Sequence, residues 1–296
     1  MSQDRRALDA TAFGTMLLLT ALWGFQQVTV KWIAADVSLV MQAAIRSVIA
    51  TALLVAWARL SGQTLWRRDG TLAAGCVAGL LFAAEFVFIY GGLGHTNASR
   101  MSVFIYLTPA LTALGLHFTV PGERLSPLQW SGVLLAFAGI AGAFWEGFSA
   151  TTTVTWKGDL CGMAAAVLWA ATTVVIRASP LSQAPAAKTL FYQLALSALL
   201  LPLASLLMGE KGVVALTPLA LASLAYQGVI VAFASYLAWF WLLTRYYAAR
   251  LSVLSSLTPL FGMLCGVVFL SEPLSPVFAG AALLVVAGIV LVNLRR

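Results

Sequence analysis

The sequence predicts an all-α polytopic membrane protein in which ten transmembrane helices form a five-plus-five inverted repeat around a central cavity. Three observations lead to this fold class. Hydrophobic residues make up 61% of the 296-residue chain and charged residues only 9%, against about 45–50% and about 25% in soluble domains. Apolar runs of about 20 residues, the length that crosses a bilayer, follow one another along the chain. The two halves of the chain also share a set of ordered motifs.

The apolar runs are predicted to be helices. Backbone in lipid must satisfy its own hydrogen bonds, and these runs are about twice as long as barrel strands. Charged residues, Gly or Pro bound each run, and the remaining residues are too few for a soluble domain of useful size. The ten predicted spans are 11–34, 38–58, 70–92, 98–118, 126–145, 156–177, 188–208, 216–241, 248–270 and 275–294.

Ten spans place both termini on one side of the membrane, and the cations predict which side. Under the positive-inside rule the side richer in Lys and Arg faces the cytoplasm. On the side of the termini lie twelve cations: Arg5, Arg6, Arg59, Arg67, Arg68, Arg124, Arg177, Lys188, Arg245, Arg250, Arg295 and Arg296. On the other side lie Lys31, Arg100, Lys157 and Lys211. We therefore expect a bacterial inner (plasma) membrane protein with both termini in the cytoplasm.

The composition also argues against several partners. The net charge of +7 comes from cations scattered at span ends, whereas a nucleic-acid interface clusters them on a polar surface. Cys76, Cys161 and Cys265 lie inside apolar runs without the spacing of metal ligands, so we interpret them as packing residues. We expect a monomer surrounded by the lipid bilayer, with no nucleic acid, no metal ion and no cofactor.

Matching motifs divide the chain into two halves of five spans, residues 1–147 and 148–296. LWGFQQVTVK at 22–31 aligns without gaps on LWAATTVVIR at 168–177, at an offset of 146. The segments at 102–126 and 252–275 share Leu-Thr-Pro and end in Glu-x-Leu-Ser, at offsets of 149 to 150. Because five is odd, the second half enters the bilayer from the opposite face. Inverted repeats of this kind place a binding site near the midplane and support alternating access.

These motifs resemble the ten-helix, EamA-type members of the drug/metabolite transporter superfamily. LLTRYYAARLSVLSSLTPLFGMLCGVVFLSEPLSPVFAGAALLVVAGIVLV resembles the last two helices of that family, and LGHTNASRMSVFIYLTPALTALGLHFTVPGERLSPLQWSGVLLAFAGI resembles the corresponding first-half helices. The resemblance covers essentially the whole chain and implies export of small metabolites. The aromatic-rich chain is most similar to aromatic amino-acid exporters of YddG type. The loops differ between the halves, because Leu-Ser-Glu-Pro in the second replaces Val-Pro-Gly-Glu-Arg in the first.

Two charged residues lie deep inside their spans, Arg46 in the second and Glu85 in the third. At about 1.5 Å per residue they reach similar depths, so they could pair. Charges inside a membrane are costly and usually face a cavity or a transport path. Two interpretations stay open at this point. The residues form a structural ion pair, or Arg46 meets a substrate carboxylate and Glu85 an amino group or a proton.

Stripes of aromatic and polar residues are predicted to line the cavity. Trp23 and Gln27 share one face of the first span with Gln26 beside it, and Trp169 and Thr173 repeat this face on the sixth. Both tryptophans fall near mid-depth, whereas belt tryptophans belong at span ends. Ordinary helix packing is the competing explanation for each aromatic residue. The other predicted lining residues, on the third, fourth and eighth spans, are Phe82, Phe86, Tyr106, Tyr236 and Trp239.

Such walls suit small amphipathic substrates with a ring or an aliphatic body. Pro109 and Pro259 lie in mid-span, where proline removes a backbone hydrogen bond, and are predicted hinges. We expect export of aromatic or hydrophobic amino acids by alternating access, either as a facilitator or coupled to protons. The alternatives are another metabolite or drug class, and an intramembrane enzyme. The sequence lacks His-Glu-x-x-His and Gly-x-Ser-x-Gly motifs, so we expect no catalytic residues.

Overall fold

The protein is all-α and polytopic, as predicted. The computed structural model describes residues 9–67, 69–120, 123–149, 155–246, 251 and 254–293. In these ranges nine segments are long and apolar enough to cross a membrane, and a tenth apolar helix is shorter. The helices are α1 (Ala10–Trp32), α2 (Leu39–Leu60), α3 (Leu72–Leu93), α4 (Ala98–Ile105), α5 (Thr108–Thr119), α6 (Pro127–Ser149), α7 (Thr155–Arg177), α8 (Ala186–Leu207), α9 (Pro218–Ala225), α10 (Tyr236–Arg245), α11 (Thr258–Leu270) and α12 (Pro276–Asn293).

The helix ends agree with the predicted spans to within a few residues, but three spans are not continuous α-helices. The fourth span is divided at Tyr106 and Leu107 into α4 and α5, and a turn at 256–257 precedes α11 in the ninth. The eighth span begins as α9, continues as a π-helix over Tyr226–Ser235 and ends as α10. Six of the cations counted for the topology lie outside the described ranges: Arg5, Arg6, Arg68, Arg250, Arg295 and Arg296. Ser252, the first residue of the repeated segment 252–275, also lies outside them.

The crossing of α6 and α12 shows the inverted relation of the two halves. A Cβ built on Gly132 would lie 2.7 Å from the carbonyl oxygen of Gly288, and one on Gly139 would lie 2.7 Å from that of Ala281. The partner numbers fall as the first numbers rise, so the helices run antiparallel. At the offset of 149, Gly132 is equivalent to Ala281 and Gly139 to Gly288. Exchange of the halves therefore maps each close contact onto the other.

The outer surface of the bundle is apolar, as lipid contact requires. Backbone polar groups are satisfied within the helices, and large aliphatic and aromatic side chains point outward along the spans. Exposed examples are Phe13, Leu18, Leu199, Leu206, Leu264, Val268 and Leu283.

The two ends of the bundle are named here after one residue in each. The Asp69 end carries the connections 61–71 and 178–185. The Thr96 end carries the connections 33–38, 94–97, 208–217 and 271–275.

Candidate functional site: a central aromatic cavity

A cavity of about 400 Å³ lies inside the bundle, between helices from both halves. This volume is within the range of about 300–1,000 Å³ that is common for small-molecule sites. Eleven of the twelve predicted substrate-binding residues line it: Trp23, Gln26, Gln27, Phe82, Glu85, Phe86, Tyr106, Trp169, Thr173, Tyr236 and Trp239. The other lining residues are Ile89, Ser102, Ile105, Thr108, Pro109, Leu190, Gln193, Ser255 and Thr258.

Helical periodicity explains why these side chains converge. Residues four apart share a helix face, so the stripe on α1 and its repeat-equivalent on α7 each present a tryptophan to the cavity. Trp23 packs edge-on against Trp239, with ring centroids 5.9 Å apart. Tyr106 packs in the same way against Trp169, at 6.0 Å. Aromatic pairs thus form walls contributed by both halves.

The structure corrects the predicted position of Arg46, which lies behind the cavity wall rather than on it. Arg46 is 1% exposed, and its guanidinium donates to the hydroxyls of Tyr90 at 3.4 Å and Tyr236 at 3.3 Å. The guanidinium carbon also lies 4.3 Å from the centroid of the Phe86 ring. The phenol oxygens and the ring provide partners that a buried cation needs. Arg46 therefore supports the wall through Tyr236 and Phe86.

Glu85 lines the cavity and is only 3% exposed. The ion pairs found among the described residues do not include one between Arg46 and Glu85. In this arrangement the guanidinium donates to the two phenol hydroxyls rather than to Glu85. Within the described part of the chain, Glu85 Oε2 has no hydrogen-bond partner.

A buried polar network adjoins the cavity on the side of the Thr96 end. Gln26 Nε2 donates to the Tyr90 hydroxyl at 3.1 Å, and that hydroxyl donates to Gln227 Oε1 at 2.8 Å. Gln227 Nε2 donates in turn to Gln42 Oε1 at 3.1 Å. The network joins α1, α2 and α3 to the π-helical segment. Tyr90, Gln42 and Gln227 were not among the predicted site residues, although amides inside apolar spans were an available signal.

Arg100 organises a second buried cluster at the Thr96 end. Its guanidinium binds the Asp159 carboxylate at 2.6 Å and the Glu146 carboxylate at 2.8 Å. Thr96 Oγ1 also donates to Asp159, at 2.8 Å. Arg100 was predicted to be a cation at a span end, but the structure buries it where the fourth, fifth and sixth spans meet. These contacts fasten the fourth, fifth and sixth spans together.

Two carboxylates of the second half cap helices of the first half at the same end. Glu272 accepts hydrogen bonds from the backbone N–H groups of Ala98 at 2.7 Å and Ser99 at 2.9 Å, at the start of α4. Glu210 accepts from those of Val40 and Met41, at the start of α2. Negative charge at a helix N-terminus is favourable. Polar contacts therefore close the Thr96 end between the halves.

The Asp69 end carries its own contact between the halves. Lys188 Nζ donates to Asp69 Oδ1 at 2.7 Å, and Thr71 Oγ1 donates to the same oxygen at 2.6 Å. The hydrogen bond from Lys188, followed by that from Thr71, lowers the pKa of the Asp69 carboxyl to about 2. Arg177 and Glu123 form a more exposed ion pair at this end.

The two predicted hinge prolines occupy equivalent places. Pro109 is the second residue of α5 and Pro259 the second residue of α11. Proline is well tolerated in a first helical turn, where its missing N–H has no intrahelical partner. The turns before them, at 106–107 and 256–257, are related by the offset of 150. Pro109 lines the cavity.

Comparisons with known proteins agree with this geometry. The sequence profile of the EamA-like transporter family matches residues 11–145 and again residues 156–294. The uncharacterized transporter YvbV of Bacillus subtilis (strain 168) is 26% identical over 284 residues, or 95% of this chain and 90% of that protein. A probable amino-acid metabolite efflux pump of Salmonella typhimurium is 25% identical over 283 residues, or 92% of this chain and 91% of that protein.

A crystal structure of a protein that is 23% identical matches with a TM-score of 0.67, covering 95% of this chain and 97% of that one. At this identity the likeness shows the shared fold alone. The family profile, in contrast, matches both halves of the chain in turn and nearly the whole of its length. The chain therefore belongs to the EamA-like transporter family of the drug/metabolite transporter superfamily.

Proposed function

We propose that this transporter exports aromatic and other hydrophobic amino acids and related amphipathic metabolites. Transport proceeds by alternating access of two five-helix halves, residues 1–147 and 148–296. The observation that carries the proposal is the aromatic cavity of about 400 Å³ between the halves, where inverted-repeat transporters bind substrate. The Salmonella relative described as an amino-acid metabolite efflux pump supports the same substrate class.

The composition of the wall supports a substrate with a ring or an aliphatic body. Trp23, Trp169 and Trp239 supply flat apolar surfaces, and amides and hydroxyls supply a few polar contacts. None of the described lining residues is Lys or Arg, whereas phosphate groups are usually bound by clustered cations. Aromatic amino acids, the substrates of YddG-type exporters, suit this wall better than nucleotide sugars.

The positive-inside rule supports an orientation with both termini in the cytoplasm, and we propose that the membrane is a bacterial inner membrane. In that orientation the Thr96 end, which the Glu272 and Arg100 contacts close, faces away from the cytoplasm. The structure then corresponds to a state closed to the outside. Export requires these contacts to open, with the fourth and ninth spans bending at Pro109 and Pro259.

Efflux from preloaded proteoliposomes tests the proposal. The panel contains Phe, Trp, Thr and Met, with a sugar and a phosphorylated sugar for comparison. We expect efflux of Phe and Trp above that of empty liposomes and no efflux of the phosphorylated sugar. Flux confined to sugars or phosphorylated compounds contradicts the substrate class.

The same assay with an imposed pH gradient tests coupling to protons. Glu85 is the charged side chain on the described wall, so it is the candidate proton carrier. We expect the gradient to accelerate flux in the parent protein and to have no effect in Glu85→Gln. Flux that ignores the gradient in the parent identifies a facilitator instead.

A further inference from the structure

We infer that the cavity recognises its substrate by a protonated amine, so that aromatic monoamines, which lack the carboxylate of an amino acid, bind at the same site. The inference rests on the proposed function in taking this cavity as the substrate site. It goes beyond that function by stating that the protein binds the amine end of the substrate. It also adds cationic aromatic monoamines to the expected ligands.

The unsatisfied polar atoms of the described residues concentrate at the cavity. Buried polar side-chain atoms in proteins nearly always have a hydrogen-bond partner. Three of the buried side-chain atoms without one, Gln27 Oε1, Glu85 Oε2 and Ser102 Oγ, belong to lining residues. Arg46 Nε, which also lacks one, lies behind the wall. The amide oxygen and an ionised carboxylate oxygen only accept hydrogen bonds, so they call for a donor on the ligand.

The charges at the cavity also favour the amine end of the substrate. Glu85 brings a carboxylate to the wall, whereas the nearby cation, Arg46, lies behind it and donates to Tyr90 and Tyr236. A substrate carboxylate would therefore meet a like charge, and the guanidinium that could offset this charge lies behind the wall. An ammonium group carries three N–H donors and the opposite charge, which makes its hydrogen bond to Glu85 charge-assisted.

In the second half of the protein, the position equivalent to Glu85 has a hydrogen-bond partner. Ser235 is the approximate repeat-equivalent of Glu85, and Trp23 is the equivalent of Trp169. Trp23 Nε1 donates to Ser235 Oγ at 2.8 Å. The protein itself thus supplies a partner at one of the two equivalent positions. At the other position Glu85 Oε2 is left for a group from outside the described chain.

Direct binding of three matched ligands to the purified protein tests the inference without transport. Phenethylamine carries only the amine, 3-phenylpropionate only the carboxylate, and phenylalanine both. Quenching of the cavity tryptophans reports binding. We expect phenethylamine to bind at least as tightly as phenylalanine, and 3-phenylpropionate to bind about tenfold or more weakly, as expected for one charge-assisted contact.

Substitution identifies the group that holds the amine. Glu85→Gln should weaken phenethylamine and phenylalanine by about tenfold or more and leave 3-phenylpropionate unchanged. Glu123→Gln, which removes a carboxylate of the Asp69 end, is the matched control and should change none of the three. If Glu85→Gln does not fold, Glu85→Asp keeps the charge on a shorter side chain, and we expect it to retain the preference for the amine.

The outcomes separate this inference from the proposed function. Binding of 3-phenylpropionate as tight as that of phenethylamine, or no binding of phenethylamine at all, overturns the inference even if phenylalanine is transported. Unchanged affinities in Glu85→Gln also overturn it. The expected binding pattern without efflux of any amino acid upholds the inference and overturns the proposed function.

Discussion

The two charged residues buried deep in the spans, Arg46 and Glu85, have different surroundings. Arg46 and Glu85 look alike in the sequence, as single charges deep in apolar spans. In the structure Arg46 lies behind the wall, where two of its nitrogens donate to phenols and its Nε is unpartnered. Glu85 lines the cavity, and its Oε2 has no partner among the described residues. A polar group that the protein itself satisfies has a structural role, and one that it leaves unsatisfied at a cavity is a candidate for binding.

Glu272 is the residue whose loss should most affect the closed Thr96 end. Its buried carboxylate accepts from two backbone N–H groups at the start of α4. Glu272→Gln replaces one acceptor oxygen by a donor and leaves an N–H group unsatisfied, so we expect a loss of about 2 kcal/mol in the free energy of unfolding. Chemical unfolding in detergent micelles measures it.

Glu123→Gln is the matched control for this prediction, because Glu123 is the repeat-equivalent of Glu272. Its carboxylate lies in a more exposed ion pair with Arg177, and exposed pairs contribute at most about 1 kcal/mol. We expect its unfolding free energy to stay within about 0.5 kcal/mol of the parent. Equal losses in both variants would show that the cap on α4 does not matter for stability.

At the scale of elements, irregular helices adjoin the cavity. The break before α5 and the turn before α11 stand two residues ahead of equivalent prolines, and the π-helical segment carries Gln227 and Ser235 toward the first half. The prolines made the fourth and ninth spans predictable as bent. The π-helix has no such marker, because its extra residue per turn is decided by packing against other helices rather than by a residue type.

The α6–α12 crossing provides a prediction about packing. Gly139→Ala would bring a Cβ to 2.7 Å from the carbonyl oxygen of Ala281. Since backbone atoms cannot move away without separating the helices, we expect a loss of about 1–3 kcal/mol in stability. Thermal unfolding of the purified variant, followed by loss of helical signal, measures this effect.

Gly142→Ala, three residues further along α6, is the control. The nearest atom to its added Cβ would be the Cβ of Ala281 at 3.9 Å, an ordinary contact. Alanine also favours a helix over glycine by about 1 kcal/mol, so stability should be unchanged or slightly higher. A Gly139→Ala variant as stable as Gly142→Ala would rule out the close crossing.

At the scale of the whole molecule, the proposed mechanism depends on which end faces the cytoplasm. Ser182 is exposed at the Asp69 end and Lys211 at the Thr96 end. In a background without Cys76, Cys161 and Cys265, a membrane-impermeant maleimide added to spheroplasts should label Lys211→Cys. It should label Ser182→Cys only after the membrane is permeabilised. The reverse pattern of labelling would indicate the opposite orientation, in which the closed Thr96 end faces the cytoplasm.

The sequence by itself determined the fold class, the inverted repeat and most of the cavity wall. These properties depend on composition, on span length and on helical periodicity, all of which are local. The stripe that places Trp23, Gln27 and their equivalents on one face could therefore be read directly.

The tertiary structure decided how the buried polar groups are paired. It moved Arg46 behind the wall, joined Tyr90 to Gln227, buried Arg100 against Asp159 and placed Glu272 on the start of α4. These contacts join residues that are distant in the chain, and hydrogen bonds depend on sub-ångström differences in how helices cross. No local pattern encodes those differences, so the partners of each polar group became known only once the helices were packed.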